Sequence, residues 1–423
     1  IKAVIKGVKE YQDVLEVMSF LHEKFGMTRA NKIFNKYGKE AKEVLEKDPY
    51  RLVDEVDGIG FALADKLAAQ VGMTDEHPQR LEAAAMAVLN QAGQNGHTAL
   101  LADDCEKRVG RLIGDDKDRG KKAVKRALES GRVLAVIREG KRLLETDKYR
   151  WLDGRVVHRL GVLMKTAPGV APIDGDKAVP WVEERIGIEF DEHQAAAIKT
   201  ALESKISVVT GGPGVGKTTI LNGLVQILKI KRQRVLLAAP TGRAARRLGE
   251  STGEKAETIH KLLDAQPGRG GFQFNDKRRL AVDTLVVDEM SMVDLSLMRA
   301  MLEAVPDDAK VVMIGDAEQL PSVGPGHVLA DVIESCSIPV ARLEKPFRQD
   351  TLVERRDEHD YATLGSKTVL SARLQVAFGG VALRSNVQGH RFAMDLRGWH
   401  RVFYDTTLDV LIPNDRWVLT NDA

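Results

Sequence analysis

At 423 residues, 43% hydrophobic and with a net charge of +2, the chain is long enough for several separately packed cores, and its overall charge names no partner. Its two cysteines, Cys105 and Cys336, are far apart with no CxxC, which excludes a disulfide framework and a cysteine-built zinc site and predicts a reducing, cytoplasmic setting. No stretch approaches the roughly 20 apolar residues of a spanning helix and the opening IKAVIKGVKEYQD is too charged for a secretory leader, so no membrane association is expected; with isoleucine at position 1, the sequence reads as starting inside a longer polypeptide.

From residue 1 to about 96 the pattern is helical, with Val14, Leu15, Val17, Met18 and Leu21 at helix spacing. Two turns look alike: FGMTRANKIFNKYG at 25–38 and VDGIGFALADKLAAQVG at 56–72 each put a small-residue turn before a short helix. In the second, Gly58 and Gly60 flank Ile59, allowing a tight turn whose next helix can aim backbone N–H groups at a phosphate. That is the physics of a helix-hairpin-helix, which grips a nucleic-acid backbone without reading sequence. A bare GIG serves equally as a C-cap and turn between two core helices.

Residues 97–166 alternate helix-like and strand-like pieces, as in VKRALESGRVLAVIREGKRLLE, and predict a small winged-helix-like or connector unit. The segment 167–180, rich in Pro, Gly and Asp, is the expected linker. Basic clusters occur in the run 121–142, in KIKRQR at 229–234 and in RAARR at 243–247; taken singly, such clusters are more often solvated faces than contacts.

After the linker the texture becomes α/β. Short β-branched runs, ISVVT, RVLLAA, TLVVD, KVVMI and PVARL, recur between helix-patterned segments, predicting a parallel sheet with ligands at the carboxyl ends of its strands. The strongest motif is GGPGVGKT, between the strand ISVVT and the helix TILNGLVQILK. Here Gly211, Gly212, Pro213, Gly214, Val215 and Gly216 form a phosphate loop. Lys217 supplies a point charge, Thr218 offers a hydroxyl to Mg²⁺, and Thr219 continues the helix start. A matching acid pair ends TLVVDEMS, with Asp288 to hold Mg²⁺ and Glu289 to orient and deprotonate water.

KVVMI runs into GDAEQLPSVGPG, where Gln319 can sense a γ-phosphate or an attacking water. Gln194, near a helix start, can pair with an adenine edge, and Arg348 in EKPFRQ can reach a phosphate; composition alone leaves both equally open to ordinary helix or loop roles. In APTGRAARRLGESTGEKAETIHKLL, Pro240, Thr241, Arg243, Thr258 and His260 suit a nucleic-acid track, against a hydrogen-bonded core histidine as the plain reading of His260.

Taken together, GGPGVGKTT, APTGRAARRL, TIHKLL, VVDEMSMVD, GDAEQLPSVGPG and FRQ, in that order behind DPYRLVDEVDGIGFALADKLA, resemble the RecD-type helicases of superfamily 1 in their long form with helix-hairpin-helix repeats. The resemblance covers most of the chain from near Tyr11 to Gln349 and implies an all-α helix-hairpin-helix region at 1–96, the connector at 97–166, the linker at 167–180 and a RecA-like P-loop ATPase domain at 181–349. It further implies ATP and Mg²⁺ as cofactors, 5′ to 3′ movement on single-stranded DNA, and unwinding at single-strand/duplex junctions. By the same resemblance Gln194 meets adenine, Lys217, Thr218, Asp288 and Glu289 serve phosphate, metal and water, Gln319 and Arg348 face the γ-phosphate, and Gly58, Gly60, Pro240, Thr241, Thr258 and His260 meet DNA.

The tail 350–423 carries no motif of the second RecA-like domain such a motor uses, so poor ATP turnover by this chain alone is expected; a divergent fragment, an out-of-frame terminus and a small unrelated fold remain open for it. Two other functions stay on the table: a non-motor DNA-binding protein with an ATP-responsive loop domain, and the helicase part of a conjugative relaxase, for which the sequence offers no paired-histidine cluster. The sequence fixes no oligomeric state.

Overall fold

The computed structural model describes residues 2–344, apart from 57, 139, 267–270 and 321, together with 391–393, 402–405 and 410–413. Its chain forms two compact units that divide at Asp147, the second also including 94–98. Among the described residues no helix is long and apolar enough to cross a membrane.

The first unit opens with α1 (Lys2–Phe25), α2 (Met27–Tyr37), α3 (Ala41–Lys47), α4 (Arg51–Glu55) and α5 (Phe61–Gln70). Leu21, Ile33, Leu45, Leu52, Val56 and Ile59 meet in one core, joined by Leu67 of α5. Both predicted turns lie just ahead of helices. Gly26, at φ 72°, closes α1 and starts α2, while Gly58, at φ 90°, and Gly60 lead into α5. These backbone angles suit glycine, because a Cβ would be strained at positive φ. Neither α2 nor α5 has a side-chain N-cap, so no side-chain oxygen of the cap residue covers their first backbone N–H groups.

Next come α6 (Pro78–Gln94), β1 (Ala99–Leu101), α7 (Ala102–Leu112), α8 (Lys117–Glu129), β2 (Val133–Arg138) and β3 (Lys141–Thr146). The strands pair antiparallel in the order β1-β3-β2. Leu100, Val133 and Leu144 share a core with Cys105, Val109 and Val124 of the two helices. A half-buried polar knot ties α5 to α6: Asp65 accepts from Tyr50 Oη at 2.6 Å and from Arg80 Nε and Nη2 at 2.7 and 3.0 Å.

The second unit is built on a parallel six-stranded sheet of order β6-β5-β7-β8-β4-β9. Its strands are β4 (Ile206–Gly211), β5 (Val235–Ala239), β6 (Ala256–Thr258), β7 (Thr284–Val287), β8 (Lys310–Gly315) and β9 (Val340–Leu343). Strand residues alternate between two cores because successive side chains leave opposite faces of a sheet. One core takes Val208, Leu285, Val287, Val311 and Met313 with α9 (Asp147–Lys165), α14 (Ile259–Leu262), α15 (Leu295–Ala304) and α16 (Val328–Glu334). The other takes Val209, Val286, Val312 and Ile314 with α10 (Gly175–Ile186), α11 (Glu192–Glu203), α12 (Lys217–Ile230) and α13 (Gly242–Thr252).

Two features sit differently from the sequence-based boundaries. The helix α9, read as part of a connector ending at 166, has Leu152, Val156, Leu160 and Leu163 in the sheet's core. Of the expected linker 167–180, residues 175–180 are helical: the Asp174 side chain caps α10 by accepting from Asp176 N and Lys177 N, and Pro180 is accommodated within the helix. The tail contributes β10 (Arg391–Ala393), β11 (Val402–Asp405) and β12 (Val410–Pro413), an antiparallel sheet in that order.

Candidate nucleotide site

The site is assembled at the carboxyl ends of the parallel strands, where such sheets open toward solvent. Strand β4 runs straight into the glycine loop. Gly214 and Gly216 adopt φ of 78° and 86°, the left-handed conformation that lets successive N–H groups turn inward. At Gly211 a Cβ would stand 2.7 Å from the Leu343 carbonyl oxygen and 2.9 Å from Val215 Cγ2, so this glycine allows β9 and the loop to close together. Lys217, first residue of α12, folds back to donate from Nζ to the carbonyls of Gly211 at 2.5 Å and Gly212 at 2.9 Å.

The acid pair follows β7. Asp288 N–H donates to Ala238 O of β5 at 3.0 Å, and Glu289 N–H donates to Asp288 Oδ1 at 2.9 Å. Burial raises the Asp288 carboxyl above its ordinary range, opposed by that backbone bond and by the Lys217 ammonium. Glu289 is raised by burial and by the Asp288 charge, opposed by Lys217 and, more weakly, by Arg247 of α13. Both carboxylates therefore sit in an environment that penalises their charge and lie within the field of the loop lysine. A divalent cation fits such a donor set: half-buried oxygen ligands that lack sufficient positive charge of their own. Glu289 also holds φ 54°, a left-handed backbone a non-glycine residue adopts at a cost of about 1–2 kcal/mol.

Strand β8 lies between β4 and β7, so its tip falls between loop and acids. Gly315 makes room for the Met290–Ser291 backbone, with a Cβ there 3.1 Å from Met290 N. Asp316 is buried and its carboxylate accepts from Glu318 N, while Ala317 N donates to Thr210 Oγ1 of β4 at 3.3 Å. Gln319 is exposed, with its N–H on Asp316 O. Gln194 is brought to the same loop, 5% exposed. It closes a capping box with Asp191 at the start of α11, and Nε2 donates to Val215 O at 3.3 Å.

Pro240 and Thr241 follow β5, where Thr241 Oγ1 caps α13 by accepting from Ala244 N. Arg243 is exposed on that helix. Thr258 ends β6 and caps α14 by accepting from Lys261 N. His260 is exposed with its ring 5.8 Å from that of Phe272, so the alternative of a buried core histidine is set aside. The sheet thus gathers the glycine loop, Thr218, Thr219, Asp288, Glu289, Gln319 and the Pro240–His260 set along one edge. Gly58 and Gly60 belong to the other unit, and Arg348 lies outside the described residues. Sequence reading passed over Asp316 and the reach of Arg247 to Glu289; the aspartate directly ending the buried run KVVMIG was the available signal for the first.

A glycine loop between strand and helix, with an acid pair on a strand one position removed, defines a P-loop nucleoside triphosphatase domain of RecA-like build. Comparison with known proteins sharpens this. The "AAA domain" family matches residues 194–325, and the "ATP-dependent RecD2 DNA helicase HHH domain" family matches residues 10–99. The chain is 34% identical over 333 residues to an ATP-dependent RecD2 DNA helicase of Deinococcus radiodurans, covering 76% of this chain and 46% of that protein. It is 38% identical over 231 residues to the RecBCD enzyme subunit RecD of Mycolicibacterium smegmatis, covering 49% and 40%. A solved Pif1 helicase from Candida albicans is 24% identical with a TM-score of 0.31, covering 38% of this chain and 41% of that one; the fold assignment rests on the strand order above. In these spans the chain is similar to RecD-like helicases, and it spans less than half the length of the curated relatives it matches.

Proposed function

We propose that the protein is an ATP-dependent DNA helicase of RecD type, moving 5′ to 3′ on single-stranded DNA and opening duplex at single-strand/duplex junctions. The observation that carries this reading is the convergence of Lys217, Asp288 and Glu289 around the tip of β8, in a chain whose relatives are RecD proteins.

In this mechanism the loop N–H groups of 211–216 surround the phosphates, and Lys217 exchanges its carbonyl partners for phosphate oxygens. Thr218 and Asp288 would hold Mg²⁺, whose charge would offset that of the phosphates. Glu289 orients a water and accepts its proton as the water oxygen bonds to the γ-phosphorus and the bond from that phosphorus to the β–γ bridging oxygen breaks, leaving ADP and inorganic phosphate. The environment that raises the Glu289 carboxyl makes it a stronger base than a solvated glutamate. Gln319 and Arg348 read the γ-phosphate, and Gln194 gives up its capping-box acceptor or its donor to an adenine edge. Pro240, Thr241, Arg243, Thr258 and His260 line the strand's track, while Gly58 and Gly60 hold DNA backbone through the start of α5.

The test is ATP turnover with and without single-stranded DNA, for the natural chain and Lys217→Ala. DNA-stimulated turnover that vanishes in the variant is expected; DNA binding with no turnover in either protein would leave a non-motor binding protein instead. Strand displacement from 5′-tailed against 3′-tailed duplexes then tests direction, with preference for the 3′ tail refuting it.

A further inference from the structure

The first unit holds a second candidate DNA surface, away from both the glycine loop and the GIG turn in sequence and built on different physics. Helices α7 and α8 are joined by the four-residue turn 113–116, which contains Gly114 at φ 126° and Asp115 at φ 58°. They cross closely because of two glycines. A Cβ on Gly120 would meet Glu106 O at 2.2 Å and Gly110 N at 2.8 Å, and one on Gly110 would meet Asp116 O at 2.6 Å. The order α6-β1-α7-α8-β2-β3, with sheet order β1-β3-β2, is a helix-turn-helix followed by a hairpin wing.

The charges on α8 divide by face. Arg119 and Lys122 pair with Glu76, and Arg126 pairs with Glu82, which fixes that side against α6 and the segment preceding it. The opposite side carries Lys117, Lys121 and Lys125, all exposed and four residues apart, hence one stripe about 12 Å long. Acidic neighbours are weak competitors. Asp118 lies 3.8 Å from Lys121 and Glu129 3.9 Å from Lys125, in exposed pairs that contribute little; Asp116 is occupied capping α8. In the hairpin, Ile137 is 68% exposed and pairs across strands with the exposed Arg142, while Arg138 pairs with Lys141. The segment 137–142 thus holds three basic residues against the single acid Glu139.

We propose that this helix-turn-helix and wing bind duplex DNA, with the Lys117–Lys121–Lys125 stripe of α8 against a major groove about 12 Å wide and the 137–142 hairpin on the flanking backbone. A stripe of evenly spaced lysines with few base-reading side chains grips phosphate without selecting sequence. This surface supplies a hold on double-stranded DNA that needs no nucleotide.

The experiment titrates a fluorescent blunt duplex into the full chain without nucleotide, from 50 to 200 mM salt, by anisotropy. Lys117→Glu/Lys121→Glu/Lys125→Glu is expected to weaken binding at least about tenfold and to lower the salt slope by about 2.7. Arg142→Glu should weaken it several-fold, and turnover stimulated by single-stranded DNA should stay at the natural level in both. Lys229→Glu/Lys231→Glu/Arg232→Glu applies the same charge change to the second unit and should leave duplex binding near the natural value. Lys217→Ala should bind duplex normally, separating this surface from the ATPase reading. Circular dichroism checks folding, and the matching alanine set, expected to show a smaller loss of the same sign, serves if the glutamate set misfolds. Duplex affinity unchanged in the α8 variants, or falling no more than in the second-unit control, overturns the proposal and leaves the stripe to a protein partner or to solvent.

Discussion

Replacing Arg80 with alanine removes the cation that ties α5 to α6. The side chains of Arg80 and Asp65 are 11% and 27% exposed, and two of the guanidinium's bonds reach the carboxylate, at 2.7 and 3.0 Å. Breaking a buried pair costs about 3–5 kcal/mol because the remaining charge is stranded. Asp65 touches water on one side and keeps the Tyr50 hydroxyl, so about 2 kcal/mol is expected here. With urea slopes of about 1–3 kcal/mol per molar, the far-UV midpoint of the first unit should fall by about 1 M. The described tryptophans, Trp151 and Trp181, belong to the second unit, so their fluorescence transition should not move. The pH dependence adds a sign. Burial pushes the Asp65 carboxyl up, but the bonds from Arg80 and Tyr50 outweigh it and hold it below the ordinary range. Its stabilisation is therefore present above about pH 4, where the unfolded carboxyl is ionised, and is lost as pH falls through the lower folded value. The gap between natural and variant protein should shrink on acidification. A gap under about 0.5 kcal/mol at pH 7, or one that widens toward pH 3, would refute the reasoning.

Three further changes probe other levels of the structure. Glu289→Gln should bind fluorescent ATP within a few-fold of the natural protein while phosphate release falls by about 10²–10⁴, since the amide fills the same space but accepts no proton; equal turnover would remove Glu289 as the base. Gly120→Ala places a methyl group 2.2 Å from the Glu106 carbonyl and should destabilise the first unit by about 1–3 kcal/mol in urea titrations followed by circular dichroism, with a wild-type midpoint arguing against the close crossing. Arg159→Leu leaves the carbonyls of Leu302 and Val305 and the Asp307 carboxylate without their shared buried donor, and should lower second-unit stability by about 3 kcal/mol, read by tryptophan fluorescence.

The central parallel strands β4, β7 and β8 were legible because each is a run rich in β-branched residues and buried on both faces, a pattern only a covered sheet tolerates. The edge strand β6 was not: Ala256–Thr258 is three half-buried residues with no apolar run, and only its pairing with β5 makes it a strand. Glycine spacing located the phosphate loop and the turn before α5, since each requires positive φ at a glycine. The end of the connector was misplaced because α9 is amphipathic in either context, and nothing local to 147–165 states that Leu152 and Val156 pack on the sheet rather than on the preceding helices. Pro, Gly and Asp in the expected linker proved equally ambiguous. Asp174 and Gly175 start a helix there, and Pro180 does not prevent it. The occupied amide of Gln194 could not be seen either, because its partner Val215 lies across a fold contact.

The insertion of β8 between the loop-bearing and acid-bearing strands turns the sheet into a gauge. Neighbouring strands stand about 4.8 Å apart, so β4 and β7 are held roughly 10 Å from each other by backbone hydrogen bonds rather than by side chains that could drift. Side-chain substitutions at the rim change what is gripped, while the opening itself keeps its width.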